Sequence, residues 1–380
     1  MSTVLSKEVI NTVNTHVLGE RIKKTYPGFN LALFDREIAS NLQAQTLSER
    51  IQQVRKSLFN YLPKDYPTAL KILVDSLPAI LPRDAFDTKL DLSSQNGFIM
   101  IALTSYVARY GIDEYSISMA ALKEMTKRFS SEGSIRYFIE KYPDKTLKTF
   151  SVWVHDKSPH VRRLVSEGTR PRLPMMMALA SFKKDPSPII PFLEKLKKDP
   201  ELFVRRSVAN NLNDIAKDNP NIVTQLLACW SKDRSSEMQW LVKHALRTLE
   251  KQGDPAALKI LGFSSDPKVE IKLFELSKTK VVFGDFLTME LRINSKCNKT
   301  LQVENLLIDY VVYHKKANGK LAPKVFKWCK KKIAYGETLS LTKKHAFKPI
   351  STRKYYPGNH EIHIQINGKI LSKCYFELKM

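Results

Sequence analysis

A short basic motif recurs along the middle of this chain at a nearly constant interval. His160-Val161-Arg162-Arg163-Leu164 and Phe203-Val204-Arg205-Arg206-Ser207 lie 43 residues apart, and Trp240-Leu241-Val242-Lys243-His244 follows after 38, counted from Val204 to Val242. Another apolar segment precedes each motif, at 146–154, 188–197 and 221–231, and each ends in an acidic or Asp-Pro turn. Helix pairs at a period near 40, with V-R-R on the second helix, are the pattern of HEAT-like repeats. Such pairs stack into a solenoid, the second helices usually lining its concave face.

The helical rhythm holds up to about residue 265. Within 48–62, Ile51, Val54, Leu58 and Leu62 form one apolar stripe, and Leu70, Leu73, Val74, Leu77 and Leu81 repeat it. Y-P-G, L-P-K-D-Y-P and L-P-R-D-A-F separate the stripes, since proline closes a helix and restricts the residue before it. From about Val269 the period drops to 2. Leu287, Met289, Leu291 and Ile293 alternate with polar residues, as do Ile362, Ile364 and Ile366, while Asn318-Gly319 and Asn367-Gly368 are two-residue hairpin signals. Roughly 110 residues of this kind suggest an immunoglobulin-like sandwich, with Tyr356-Pro357-Gly358 at a corner and a small barrel as the alternative. The expected fold class is therefore mainly α: a HEAT-like helical-repeat solenoid in 1–265, followed by a basic all-β immunoglobulin-like sandwich in 266–380. A chain of 380 residues suits two cores.

The charge points to the partner. Sixty-two Lys and Arg against 38 Asp and Glu leave a formal charge of +24, which favours a polyanion, usually nucleic acid. The β region is the most basic part, with 22 Lys and Arg against 9 acids between Val269 and Met380. Lysines on strand edges that block edge-to-edge pairing account for some of these, but so much charge of one sign exceeds that need. Cys229, Cys297, Cys329 and Cys374 stand far apart without a C-x-x-C pair, which argues against a zinc ribbon or disulfide framework and suits a reducing cytoplasm. The N-terminal stretch has no long apolar core or small-residue cleavage site, so no signal peptide is expected. No run of 18 apolar residues exists to span a membrane. P-loop, Rossmann and H-E-x-x-H motifs are missing, and His155 and His160 make a poor metal pair without a third ligand. No metal and no cofactor are expected.

One set of segments resembles a known family. Phe129-Ser130-Ser131-Glu132-Gly133-Ser134-Ile135-Arg136, Tyr142-Pro143, His160 to Gly168 (H-V-R-R-L-V-S-E-G), Arg170-Pro171-Arg172-Leu173-Pro174 and Arg205 to Lys217 (R-R-S-V-A-N-N-L-N-D-I-A-K) are similar to the AlkC group of alkylation-repair DNA glycosylases, in the HEAT-like superfamily related to AlkD. The likeness covers most of the helical body. HEAT-like proteins at large share V-R-R but not S-E-G-x-R-P-R-L-P, and many members of the group carry a C-terminal immunoglobulin-like domain. The resemblance implies removal of 3-methyladenine and 3-methylcytosine from double-stranded DNA in base excision repair, without metal or nucleotide cofactor, by a monomer in the bacterial cytosol. It also implies that Glu132, Glu167 and Asp214 sit at the active site. This chain departs from the family at Met175, which with Met176 and Met177 stands where members often have Trp after R-P-R-L-P.

That assignment is chemically coherent. A base alkylated at N3 is already cationic and needs no protonation to leave. The enzyme must stabilise the developing sugar oxocarbenium and position a water, and a carboxylate near C1′ does both. Arg162, Arg163, Arg205 and Arg206 are candidate phosphate contacts, although they also suit pairing with acids of adjacent repeats. Arg170 and Arg172 are stronger ones if the loop between Pro171 and Pro174 leaves them free. Trp153 and Trp240 are candidates for stacking on a base or deoxyribose, against the ordinary reading of aromatics at helical spacing as core; of the two, Trp153 is the expected contact. The three methionines read as a helix start packing into the core. A non-catalytic HEAT-like binder of damaged or branched DNA is the competing function, and the three acids favour the enzyme. A protein-scaffold solenoid is disfavoured by the charge.

Overall fold

The structure is a computed structural model, and its described residues are 7–82, 97–296, 303–350 and 353–380. Residues 83–86 of L-P-R-D-A-F and Cys297 lie outside them. The apolar stripes form helices α1 (Thr12–Thr25), α2 (Leu31–Ala39), α3 (Leu47–Tyr61), α4 (Tyr66–Asp75), α5 (Met100–Tyr110), α6 (Tyr115–Thr126), α7 (Ile135–Lys141), α8 (Pro143–Trp153), α9 (Pro159–Gly168), α10 (Ala180–Lys184), α11 (Ile190–Leu196), α12 (Leu202–Ile215), α13 (Pro220–Trp230), α14 (Ser236–Ala245), α15 (Arg247–Gln252) and α16 (Pro255–Ile260). Local chemistry sets their ends. The Thr46 side chain accepts from the Glu49 amide while Glu49 reaches back to the Thr46 amide, a capping box that starts α3. After α4 the Ser76 hydroxyl donates to the Leu73 carbonyl and the helix stops. Leu77 and Leu81, expected to extend its stripe, lie beyond it, and the Leu81 amide donates to the Lys127 carbonyl instead.

Contacts divide the chain into two compact units, Met1–Asn219 with Ser235–Ala245, and Pro220–Arg234 with Leu246–Met380. In the first unit the V-R-R motifs open the second helices. Val161, Val204 and Val242 are all buried. The first arginine of the motif turns back on its own turn: Arg162 Nη1 donates to the carbonyls of Asp156 and Lys157 (2.9 and 3.2 Å), and Arg205 Nη1 to those of Asp199 and Pro200 (2.6 and 2.8 Å). The acid of that turn also accepts from the repeat before it. Lys123 on α6 binds Asp156 at 2.6 Å, and Arg162 clasps Asp199 with Nε and Nη2 at 2.6 and 2.9 Å. One cation and one loop acid per repeat thus fix the stacking register. Arg162 joins neighbouring repeats, whereas the bonds of Arg205 stay within the turn that starts its own helix; pairing with neighbouring acids, an alternative for these residues, is the arrangement found for Arg162.

The second unit carries the strands β1 (Val269–Leu276), β2 (Lys280–Val282), β3 (Phe286–Ser295), β4 (Val303–Lys315), β5 (Leu321–Ala334), β6 (Thr338–Ala346), β7 (Gly358–Ile366) and β8 (Lys369–Lys379). They form two sheets, β1-β3-β6 and β2-β8-β7-β4-β5, with only β2 and β8 parallel among the pairs. Leu287, Met289, Leu291 and Ile293 from one sheet share a core with Ile362, Ile364 and Ile366 from the other. This is an immunoglobulin-like sandwich and not the alternative barrel. Asn367-Gly368 joins β7 to β8 with φ of 48° and 81°, the turn its sequence predicts. At Asn318-Gly319 only the glycine has positive φ, 77°. The Lys316 amide donates to the Lys320 carbonyl around a three-residue loop, and the left-handed Gly319 places a bulge there, so a two-residue turn is not what connects β4 to β5.

Strand β4 departs from simple alternation because both of its faces are covered. Leu307 packs with Leu258 and Phe263 on the face opposite the sandwich core. Asp309, at an irregularity in the β4–β5 register, is buried to 1% exposure, and neither carboxylate oxygen has a hydrogen-bond partner among the described residues. Burial pushes its carboxyl up to about 6, with Lys327, Lys330 and Lys251 pulling down and Glu250 pushing up. Glu250 itself is buried and paired with Lys327 and Lys330. Since the folded pKa of Asp309 exceeds its unfolded value, the cost is present above pH 6 and is relieved as pH falls toward 4. Asp309→Asn is therefore expected to stabilise the protein by up to about 3 kcal/mol at pH 8 and by little at about pH 4. Denaturant unfolding at both pH values measures this, and an equal effect at the two would remove ionisation as the cause.

Candidate active site

Three elements deliver the candidate acids. Glu132 lies in the turn before α7, where Ser130 Oγ donates to its Oε2 at 2.7 Å. Glu167 is on the last turn of α9, directly before Gly168. A Cβ on Gly168 would stand 2.6 Å from Ile135 Cγ2, so the glycine lets α9 approach α7 closely. Asp214 is on the last turn of α12.

The structure brings all three into one chain of alternating charge. Arg163 Nη1 meets Glu132 Oε2 at 2.9 Å, and its Nη2 lies 3.8 Å from Glu167 Oε2. Arg170 Nη1 donates to Glu167 Oε1 at 2.5 Å, while its Nε and Nη2 reach Asp214 Oδ2 at 2.8 and 2.7 Å. Lys217 closes the run on Asp214 Oδ1 at 2.8 Å. Ser207 Oγ, from the next repeat, donates to Glu167 Oε2 at 2.5 Å. Burial would raise the Glu167 carboxyl, but the Arg163 and Arg170 guanidiniums and the Ser207 hydroxyl outweigh it and hold the group below its ordinary range. The acids differ in access: the Glu132 side chain is 26% exposed, Glu167 6% and Asp214 2%.

Several expected positions turn out otherwise. The loop after α9 does not free Arg170, which is buried between two acids, and Arg172 is clasped by Asp218 at 2.8 and 2.6 Å on a more open surface. Trp153 is buried and packs on Phe150, so stacking on DNA would require opening the repeat. His160 is likewise core, with its ring nitrogen on the Pro82 carbonyl. Trp240 stacks on His244 at 5.1 Å, and Arg206 lies partly buried on α12. Met175 to Met177 form no helix start and are not core. Met175 is 80% exposed with φ 63°, and α10 begins only at Ala180.

One organising residue escapes sequence reasoning. Arg136 on α7 is fully buried, and burial pulls its guanidinium down to about 10. It donates to the carbonyls of Gly168 (3.1 Å), Arg170 (2.7 Å) and Met177 (2.6 Å), pinning the whole 168–177 segment from beneath. Its only sequence signal is a place next to Glu132 on a short helix. Asp199, by contrast, is legible as the counterpart of Asp156 one repeat on.

A stack of HEAT-like repeats that gathers three carboxylates around two shared guanidiniums, in a chain ending in an immunoglobulin-like sandwich, defines a narrow class of protein. Residues 270–380 match the family model described as the C-terminal Ig-like domain of the uncharacterised protein YhaZ. YhaZ of Bacillus subtilis (strain 168) is 35% identical to this chain, covering 98% of it and 99% of YhaZ. Among solved structures, the alkylpurine DNA glycosylase AlkC of Pseudomonas fluorescens, bound to DNA containing an abasic site analog, is similar at a TM-score of 0.87 and 33% identity over 98% of this chain and 99% of AlkC. The chain belongs to the AlkC family, as the motifs from Glu132 to Lys217 imply.

Proposed function

We infer that the protein is a DNA glycosylase that hydrolyses the N-glycosidic bond of cationic alkylated bases, 3-methyladenine and 3-methylcytosine, in double-stranded DNA. The observation that carries this reading is the convergence of Glu132, Glu167 and Asp214 in one network linked by Arg163 and Arg170. The likeness to AlkC supports it. In this reading Arg163, shared by two acids, turns toward a phosphate when DNA arrives. Glu132 then faces the sugar, with Glu167 and Asp214 behind it supplying negative potential to the oxocarbenium. Water is excluded at the buried end of the network, where such potential is least screened. Arg172, Arg206 and the lysines of the β unit are assigned to the DNA backbone, the protein acts as a monomer, and the bacterial cytosol is its compartment. Chemistry is assigned to the unit of Met1–Asn219 with Ser235–Ala245, and added grip to the unit that carries the strands.

Incubating the protein with methylated duplex DNA and identifying the released base tests the proposal. Release of 3-methyladenine or 3-methylcytosine supports it. Tight binding without release supports the non-catalytic binder. The Met175 position bears on substrate range. Met175→Trp is expected to leave the fold intact, since the residue is exposed, and to change the single-turnover rate on one methylated base more than on the other. Unchanged rates on both would show that this position does not reach the substrate.

A further inference from the structure

We propose that Met175, Met176 and Met177 form a methionine-oxidation site through which peroxide lowers the protein's action on DNA, reversibly by methionine sulfoxide reduction. Exposure makes the site selective. Met100, Met119, Met125, Met238 and Met289 are buried, whereas the three consecutive methionines are 80%, 38% and 38% exposed, with Met380 the other exposed methionine among the described residues. The tip is also held in place. Met175 has φ 63°, unusual for a residue with a Cβ, and Arg136 grips the Met177 carbonyl at 2.6 Å. The Met176 thioether lies over Gly133, so close that a Cβ on that glycine would be 2.7 Å from Sδ. Gly133 directly follows Glu132, the most open of the three acids.

The chemistry is a two-electron oxidation. A thioether sulfur attacks hydrogen peroxide, the S–O bond forms as the O–O bond breaks, the sulfur is oxidised, and the second oxygen leaves as water. A flexible apolar side chain becomes a polar, chiral sulfoxide. On Met176 the new oxygen dipole sits against the turn that carries Glu132. On Met175 it polarises a tip that otherwise offers exposed apolar surface. The functional consequence rests on the glycosylase reading, while the oxidation itself does not.

The test treats full-length protein with dilute hydrogen peroxide and maps oxygen addition by peptide mass spectrometry. Affinity for methylated duplex and the single-turnover excision rate are read before and after. A Met175→Leu/Met176→Leu/Met177→Leu protein is carried in parallel, each protein being compared with its own untreated rate. The expected result is that the three methionines oxidise ahead of the buried ones and that the wild type loses most of its rate or affinity. The triple-Leu protein should keep its own, and methionine sulfoxide reductase with thiol should restore the wild type. An equal loss in the triple-Leu protein overturns the proposal. So does recovery with thiol alone, which would indict the exposed Cys229, or complete oxidation of the tip without functional change. Should untreated wild type excise nothing, the glycosylase reading fails on that arm alone, and duplex affinity still decides the oxidation effect.

Discussion

Affinity for duplex DNA is expected to fall roughly 10³–10⁵-fold between about 50 and 200 mM salt, the response of a protein that neutralises 6–10 phosphates and releases their counterions. The motive is the charge of +24, of which 22 Lys and Arg against 9 acids fall between Val269 and Met380. The network around Glu167 should not share this sensitivity. Its three acids and two arginines are only 2–26% exposed, and pairs removed from water are screened much less than surface charges. The thermal midpoint is therefore expected to stay nearly constant over the same salt range. Titration by fluorescence anisotropy and melting in matched buffers separate the two. A nearly flat binding response would remove the electrostatic argument for DNA as the partner.

How much of this was readable from residues alone depended on the range of the interactions involved. The repeat was legible because stacking demands the same residue types at the same place every 43 or so residues. The V-R-R valines are buried accordingly, and Asp156 and Asp199 recur at the same interval. The switch to strands was legible because Leu287 to Ile293 alternate strictly. What one motif residue does was harder to read. Arg162 and Arg163 are adjacent, yet the first binds its own helix-start turn and the next repeat's Asp199, while the second enters the acid network. Arg170 looked free because its loop is irregular, but Arg136 folds that loop so that the guanidinium drops between Glu167 and Asp214. Three apolar methionines suggested core, and a single left-handed residue, Met175, turned them outward. The two arginine differences come from contacts between residues distant in sequence, to which periodicity is blind, and the methionine difference from one residue's backbone conformation.

The acid network gives a prediction in which rate and stability carry separate information. Glu167→Gln is expected to lower the single-turnover excision rate on the order of 10²–10³, about 3–4 kcal/mol of barrier, as for loss of one electrostatic stabiliser of the transition state. The amide keeps the side chain's shape and still accepts from Ser207, but it removes the negative potential that Glu167 supplies to the oxocarbenium from behind Glu132. DNA affinity should hold or rise, because a negative charge near phosphates has gone. Stability should fall as well, by about 3 kcal/mol, since Arg170 and Arg163 lose a buried counter-charge. The sign with pH follows from the lowered Glu167 carboxyl. Its stabilisation is present above the ordinary value of 4.5 and is lost as pH falls through the lower folded value, so the stability gap between wild type and variant should close in acid. The rate comparison belongs at a temperature and pH where circular dichroism shows both proteins folded. Glu132→Gln, at the open end of the network, should cost less stability than Glu167→Gln, and Asp214→Asn is the third arm. If the acids act as one unit, the rate losses of the three will not add in combination. A purely structural network predicts the opposite pattern: destabilised variants whose folded fraction still excises 3-methyladenine and 3-methylcytosine at the wild-type rate, which would remove Glu167 from the chemistry.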